Sequence, residues 1–277
     1  MASILDSIRG WFRAPRAEPV RPHIPPAGID GVAFQCNLCG QHNRVPPECL
    51  GREIASCRAC GSTVRFRAIV QLLVHELLGV DEPLPTLPVR RDLRGIGLSD
   101  ADTYAIPLSR HFSYTNTRFH AQPRLDISAV PDDLAGRHRF LVASDVFEHV
   151  VPPVARAFAG ARKLLDADGV FVFSVPFSLE ADTVEHFPDL HRFRIEGEGS
   201  RRVLHNTTQD GRHQTFDNLV FHGGDGATLE MRCFSRDAVE RELRAAGFTR
   251  VRFAQEAHPR FGIVWREPWS VPVVARP

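Results

Sequence analysis

Between residues 93 and 175 short apolar runs alternate with stretches of helical rhythm, and this alternation limits the fold more than any other feature of the sequence. "LRGIGLS" (93–99) reads as a strand, "DADTYAIPLSRHF" as a short helix interrupted by Pro107, and "SYTNTRF" as a second strand. "PRLDIS" gives a brief strand, "RFLVAS" another, "PPVARAFAGARKLL" a helix, and "GVFVFSVPF" a buried strand introduced by the turn "DADG". Such alternation predicts a parallel sheet with helices on both faces. Ligands in sheets of this kind sit beyond the carboxyl ends of the strands. The polar residues of "SDVFEHV", from Asp145 to His149, fall just past the end of "RFLVAS", so they are expected on that rim and not in the core.

Five of the six cysteines lie between residues 36 and 60, and four of them form the pairs "CNLC" (Cys36, Cys39) and "CRAC" (Cys57, Cys60). Thiolates spaced as C-x2-C-x17-C-x2-C can close a tetrahedron around Zn2+, and Gly40 and Gly61, each directly after its pair, permit the tight turns this needs. Two disulfides fit poorly because nothing points to an oxidising compartment, and a redox pair lacks a thioredoxin-like context. Four thiolates leave no open coordination position, so the expected zinc is structural. Cys49 and Cys233 read as small apolar residues. "STVRFRAIVQLLVHELLG" has a helical rhythm ending at Gly79 and is expected to tie the module to the rest of the chain. The expected organisation is an N-terminal helix and proline-rich arm over 1–31, a zinc module with its helix over 32–80, a linker in "DEPLPTLPVRRD", and a main domain over 93–277.

A chain of 277 residues with 43% hydrophobic composition can bury a substantial core, which excludes disorder throughout. Its net charge of +1 provides no global field for nucleic acid. Lys163 is the single lysine, so the abundant arginine reads as composition bias, and individual arginines are not counted as phosphate ligands. No run approaches the roughly 20 apolar residues that span a bilayer, and no secretory signal is evident, so a cytoplasmic location is expected. "SILDSIRGWFR" puts Ile4, Leu5, Ile8, Trp11 and Phe12 on one helical face beside Arg9 and Arg13, which suits weak membrane-surface contact, a docking helix or a frayed end.

"SDVFEHV", the proline-rich helix start and "ARKLLDADGVFVFSVPF" together resemble the fourth-to-fifth-strand region of class I S-adenosylmethionine-dependent methyltransferases. The likeness runs from Leu93 to about Val175, and "DAVERELRAAGFTRVRF" with "GIVWREPWSVPVV" is similar to that family's last helix and antiparallel hairpin. A zinc knuckle followed by an arginine-rich helix resembles one branch of it. The resemblance implies an α/β fold: a Rossmann-like seven-stranded sheet with a small N-terminal zinc-ribbon or knuckle module and a β-hairpin lid insertion over 178–234.

The resemblance also implies S-adenosylmethionine as cofactor, with Gly95, Gly97 and Ser99 near its methionine and ribose. The two glycines fall partly inside the strand, and close packing explains them equally well. The acidic residue that usually ends the second strand is missing, and Asn116 and Thr117 stand at that rim. Asp126 matches the carboxylate that accepts from the adenine amino group, with Ile127 against the ring, or is a turn aspartate. Asp145 is expected near the cofactor. Glu148 and His149 are expected to shape the transfer site, His149 either as a base or by ordering the turn.

The segment 178–234 is longer than a crossover needs, and its Asp210-Gly211 turn reads as a hairpin that folds over the strand ends. Glu185, His186, His191, His205, His213 and His222 are concentrated there, at spacings that match no established metal pattern. His186 and His191 are the candidates for a base or for orienting substrate. The leading reading is a zinc-containing methyltransferase that methylates oxygen on a small-molecule or glycan-type acceptor. An RNA methyltransferase and a non-catalytic scaffold are the alternatives.

Overall fold

The computed structural model describes residues 31–222, 228–266 and 268–277. The expected N-terminal helix and all but the last residue of the proline-rich arm lie outside the described residues. In chain order the elements are strands β1 (Val32–Gln35) and β2 (His42–Val45), helix α1 (Val64–Leu78), β3 (Arg90–Leu98), α2 (Asp102–His111), β4 (Phe112–Thr117), β5 (His138–Ser144), α3 (Ala155–Leu164) and β6 (Leu165–Ser174). The insertion carries β7 (Phe177–Ser178), β8 (Val184–Glu185), β9 (Arg192–Glu196), β10 (Val203–Thr207), β11 (His213–Phe216), β12 (Phe221–His222), β13 (Thr228–Leu229) and β14 (Arg232–Ser235). Helix α4 (Arg236–Ala245) and strands β15 (Arg250–Phe253) and β16 (Val273–Arg276) complete the chain.

The main sheet runs β15-β16-β6-β5-β3-β4, with β4, β3, β5 and β6 parallel and β16 antiparallel to both its neighbours. Alternate residues of each strand face opposite sides. Phe140, Val142, Val170 and Val172 join α1, α2 and the cysteine module in one apolar cluster, while Leu141, Ala143, Phe171 and Phe173 join α3 and α4 in another. The period-2 pattern of the sequence thus divides into two cores, one on each face.

Helix α1 starts at Thr63, whose hydroxyl accepts from Phe66 N, and stops at Gly79 in the left-handed conformation (φ 70°). Its residue Arg67 is fully buried and donates to the carbonyls of Phe261 and Gly262 at 2.7 and 3.0 Å and to Ser62 O at 2.9 Å, so the module is bonded to the far end of the chain. The insertion forms a separate three-stranded sheet β11-β10-β9, and β14 pairs with β7 and β8. The hairpin expected at Asp210-Gly211 is the β10–β11 turn.

Two expectations change. The main sheet has six strands among the described residues, because "PRLDIS" contributes only an isolated Arg118–Arg124 bridge and a short 3-10 turn. Asp126 accepts from Ser128 N at 2.8 Å, which turns the chain out of extended pairing, and the Ile127 carbonyl lies against Gly160 of α3 where a Cβ would be only 1.9 Å away. The expected linker is structural: Leu84 is fully buried, its N–H reaches Asn37 O at 2.8 Å, and β3 already begins at Arg90.

The central strand depends on its glycines. A Cβ on Gly95 would lie 2.0 Å from the Phe140 ring, and one on Gly97 would lie 1.8 Å from the Tyr114 hydroxyl. Rings from the strands on either side, stacked with centroids 5.9 Å apart, lean over the space these residues leave open. Just beyond, Asp100 is buried and accepts from Tyr104 Oη at 2.6 Å and from Tyr114 Oη. Burial outweighs these donors and raises its pKa from 3.8 to about 7.

Overpacking of a formed core costs roughly 1–3 kcal/mol, so Gly95→Ala is expected to lower the urea midpoint clearly; an unchanged midpoint contradicts the ring packing. The Asp100 shift carries a sign. The unfolded chain releases this proton first, so between pH 3.8 and about 7 the folded state binds more protons and stability falls as pH rises. Asp100→Asn is expected to remove a contribution on the order of 4 kcal/mol from that slope, read as the difference between wild-type and variant urea stabilities across the window.

Candidate functional site

The chain leaves β3 for β4 on one side and crosses to β5 on the other, which makes the β3–β5 boundary a topological switch point, the place where open α/β sheets bind ligands. Leu98 is in register with both Thr117 and Ala143, and Ser144 with Ser174, so the loops after four parallel strands emerge on one edge. Ser99 and Asp145, the residues directly after β3 and β5, both adopt left-handed backbone at φ 56° and 54°. A side chain there costs about 1–3 kcal/mol, and strain of this kind concentrates at functional sites. Here it is held by Ser99 N to Thr117 O at 2.7 Å and Asp145 N to Ser174 O at 2.8 Å.

The sequence-predicted residues divide on this edge. Ser99 is exposed and Asp126 half-buried, with Asp126 Oδ1 accepting from Ser128 N, whereas Ile127 is buried in the core with α3. Gly95 and Gly97 are strand residues beneath aromatic rings. Asn116 spends its side chain on the neighbouring turn: Oδ1 accepts from Asp100 N and Nδ2 donates to Asp100 O, each at 2.9 Å. The Thr117 hydroxyl donates to Gly97 O at 2.7 Å. The side chains expected to receive a ribose instead close the β3 loop.

Asp145 meets the cysteine module. Its carboxylate takes both guanidinium nitrogens of Arg52 at 2.9 and 3.2 Å, lies 3.5 Å from Arg65, and accepts from Ser174 Oγ at 2.8 Å. Arg65 in turn holds Glu53 at 2.6 and 2.7 Å and donates to Ser144 Oγ. Burial pushes the Arg65 pKa down, but Asp145 and Glu53 outweigh it and raise it above the ordinary arginine value. Nothing in the spacing of the sequence pairs residue 52 with residue 145.

The four cysteines converge. Cys36 and Cys60 Sγ are 3.6 Å apart, as are Cys39 and Cys57, and all four sulfurs lie within 4.8 Å of one another. Thiolates about 2.3 Å from a tetrahedral zinc are separated by about 3.8 Å, so the donor set fits that ion. Gly40 and Gly61, at φ 78° and 71°, return their N–H groups to Cys36 O and Cys57 O at 2.8 and 2.9 Å. Asn43 Nδ2 lies 3.6 Å from Cys57 Sγ.

On the insertion side of the edge a second polar cluster forms. His149 Nδ1 lies 3.0 Å from Leu229 O, and its Nε2 lies 3.2 Å from His222 Nδ1. His222 Nε2 lies 3.1 Å from Glu230 Oε2, and Glu230 Oε1 is 2.7 Å from His186 Nε2. Burial, then the neighbouring His222, lowers the His149 pKa to about 4, which keeps that ring neutral at pH 7. Burial acts to raise the Glu230 carboxyl, yet His186 and His222 hold it down to about 2. Two predicted catalytic histidines are therefore joined through His222 and Glu230. His191 is not among the side chains bonded to this cluster: it is exposed before β9, and its backbone N–H donates to Asn206 Oδ1 at 2.9 Å. Glu230 escaped the sequence reading although "LEMR" carried a signal, two charges alternating with apolar residues in an otherwise buried stretch. Arg232, two residues on, is fully buried and donates to Phe147 O and Val150 O at 3.2 and 2.6 Å, which fixes the insertion to the turn after β5.

No protein-family model and no curated protein sequence matches this chain. Among solved structures it is similar to an S-adenosylmethionine-dependent methyltransferase from Clostridium acetobutylicum, with 11% identity, 76% of this chain and 89% of that one covered, and a TM-score of 0.41. It is also similar to the 1,6-didemethyltoxoflavin-N1-methyltransferase of Burkholderia thailandensis, with 15% identity, coverages of 76% and 77%, and a TM-score of 0.41. A sugar N-methyltransferase from a Streptoalloteichus species has 11% identity, coverages of 77% and 87%, and a TM-score of 0.44. At these identities and TM-scores none of the three assigns an activity to this chain.

Proposed function

We propose that this chain is an S-adenosylmethionine-dependent methyltransferase with a structural zinc ion on Cys36, Cys39, Cys57 and Cys60. The observation that carries the reading is the switch point: β3 and β5 end side by side, each in a left-handed residue, on the edge of a parallel sheet closed by an antiparallel pair. Ser99 and Asp126 are the residues at the rim that would face the cofactor. Gly95, Gly97, Asn116, Thr117, Ile127 and Asp145 would act from behind, by holding the loops in place. Transfer from a sulfonium needs the nucleophile held in line and water excluded, since the positive charge already activates the methyl group. The insertion is the lid in this reading. His149 or His186 would accept the acceptor's proton if a hydroxyl of a small molecule or glycan is methylated, and His191 would contact substrate from the exposed side.

A second reading, a binding protein that kept the sheet without catalysis, is favoured by one specific observation: Asn116, Thr117 and Asp145 are already bonded within the protein. Calorimetry with S-adenosylhomocysteine separates the two. The methyltransferase reading expects binding, weakened several-fold in Asp126→Asn, a change that keeps an oxygen for the turn. No heat and no thermal shift at millimolar S-adenosylmethionine or S-adenosylhomocysteine leaves the scaffold. The zinc is tested separately. One equivalent of zinc per chain is expected in the purified protein, and its loss in Cys36→Ser should lower the melting temperature markedly, because structural zinc contributes directly to folding.

A further inference from the structure

Glu148, His149 and His222 bring three possible metal-ligand atoms together. A neutral imidazole carries one N–H. The Nδ1 of His149 faces the Leu229 carbonyl at 3.0 Å and is the nitrogen placed to donate. The Nε2 of His222 lies 3.1 Å from the Glu230 carboxylate. The other nitrogen of His149, Nε2, then turns its lone pair towards His222 Nδ1 across 3.2 Å, between rings set at 85°. Glu148 Oε1, on a carboxylate side chain with no exposed surface, lies 3.7 Å from the same His149 nitrogen. Two imidazole nitrogens and a carboxylate oxygen thus converge on one point, where a single cation can bridge all three.

We propose that Glu148, His149 and His222 bind a divalent first-row transition-metal ion, at a site distinct from the four cysteines. Their donor atoms lie within 4.8 Å of one another. Ligands about 2.0–2.2 Å from one ion are separated by about 3.0–3.4 Å, so the His149–His222 spacing already suits it. Two imidazoles and one carboxylate favour Mn2+, Fe2+, Co2+ or Zn2+ over Mg2+ and Ca2+, which prefer all-oxygen shells. The outer contacts are those of a built metal site. A backbone carbonyl orients one ring, and a carboxylate, itself held by His186 at 2.7 Å, orients the other. Three protein ligands leave positions open for water or for an oxygen of a bound molecule. The ion would sit beside the turn after β5, between the sheet edge and the insertion. This inference stands whether or not the chain binds S-adenosylmethionine.

The test is Co2+ titration of the full-length protein with its cysteine zinc in place, followed by absorption and by metal content after gel filtration, with Mn2+ followed by electron paramagnetic resonance as a second probe. One further equivalent of metal is expected, with weak d–d bands in place of the intense charge-transfer bands of cobalt thiolate. Glu148→Gln and His222→Gln should each weaken it by at least about tenfold, and Glu230→Gln, which touches no ligand atom of the ion, by about 10–100-fold through the orientation of His222. Circular dichroism and zinc content identify any variant that has failed to fold, and the wild-type stoichiometry decides the matter independently of the variants. Saturation at the cysteines alone, up to millimolar Co2+ or Mn2+, overturns the proposal. A second equivalent that persists unchanged in folded Glu148→Gln and His222→Gln overturns it as well.

Discussion

A charged contact at the end of β5 determines how the two parts of the molecule meet. Asp145 is held in a left-handed backbone by the Ser174 carbonyl, and its carboxylate is clasped by Arg52 with Arg65 close by. With only 4% of its side chain exposed, Asp145 cannot lose these partners without leaving a buried charge, a change that costs about 3–5 kcal/mol in comparable cases. The cysteine module is therefore anchored to the same edge at which a sheet of this topology binds ligands. Whatever occupies that edge lies beside guanidinium groups supplied by the first sixty-odd residues of the chain.

The sheet was readable because burial on both faces leaves a strong pattern. "FLVA" and "VFVF" are apolar throughout, and they lie next to each other in β5 and β6. The cysteine spacing was equally legible, since four sulfurs and two following glycines specify a local turn geometry with no help from elsewhere. "PRLDIS" reads as a sheet strand because Leu125 and Ile127 fit a strand as well as they fit a short turn. What decided it was the approach of α3 at Gly160, a tertiary fact.

Side-chain commitments were the least legible part of the site. Asn116 and Thr117 stand where the sequence placed them, yet their hydrogen-bonding groups go to Asp100 and Gly97, and only the fold reveals that. The same is true of Gly95 and Gly97. Their spacing fitted a ligand loop or close packing equally, and the aromatic rings of the flanking strands occupy the space. The histidines show the reverse. Residues 149, 186 and 222 had no recognisable spacing in sequence, and β14, running back past the turn after β5, brings them together through Glu230.

Arg67 has a consequence for the order of assembly. Its guanidinium depends on carbonyls at residues 261 and 262, and the apolar face of its helix lies against β5 and β6. As the ribosome releases the chain from its N-terminus, the cysteine knuckles emerge early, but the acceptors that complete their surroundings come almost two hundred residues later. Contacts this distant in sequence slow folding and leave apolar surface uncovered in the meantime. The cysteine module is thus synthesised long before the contacts that complete it.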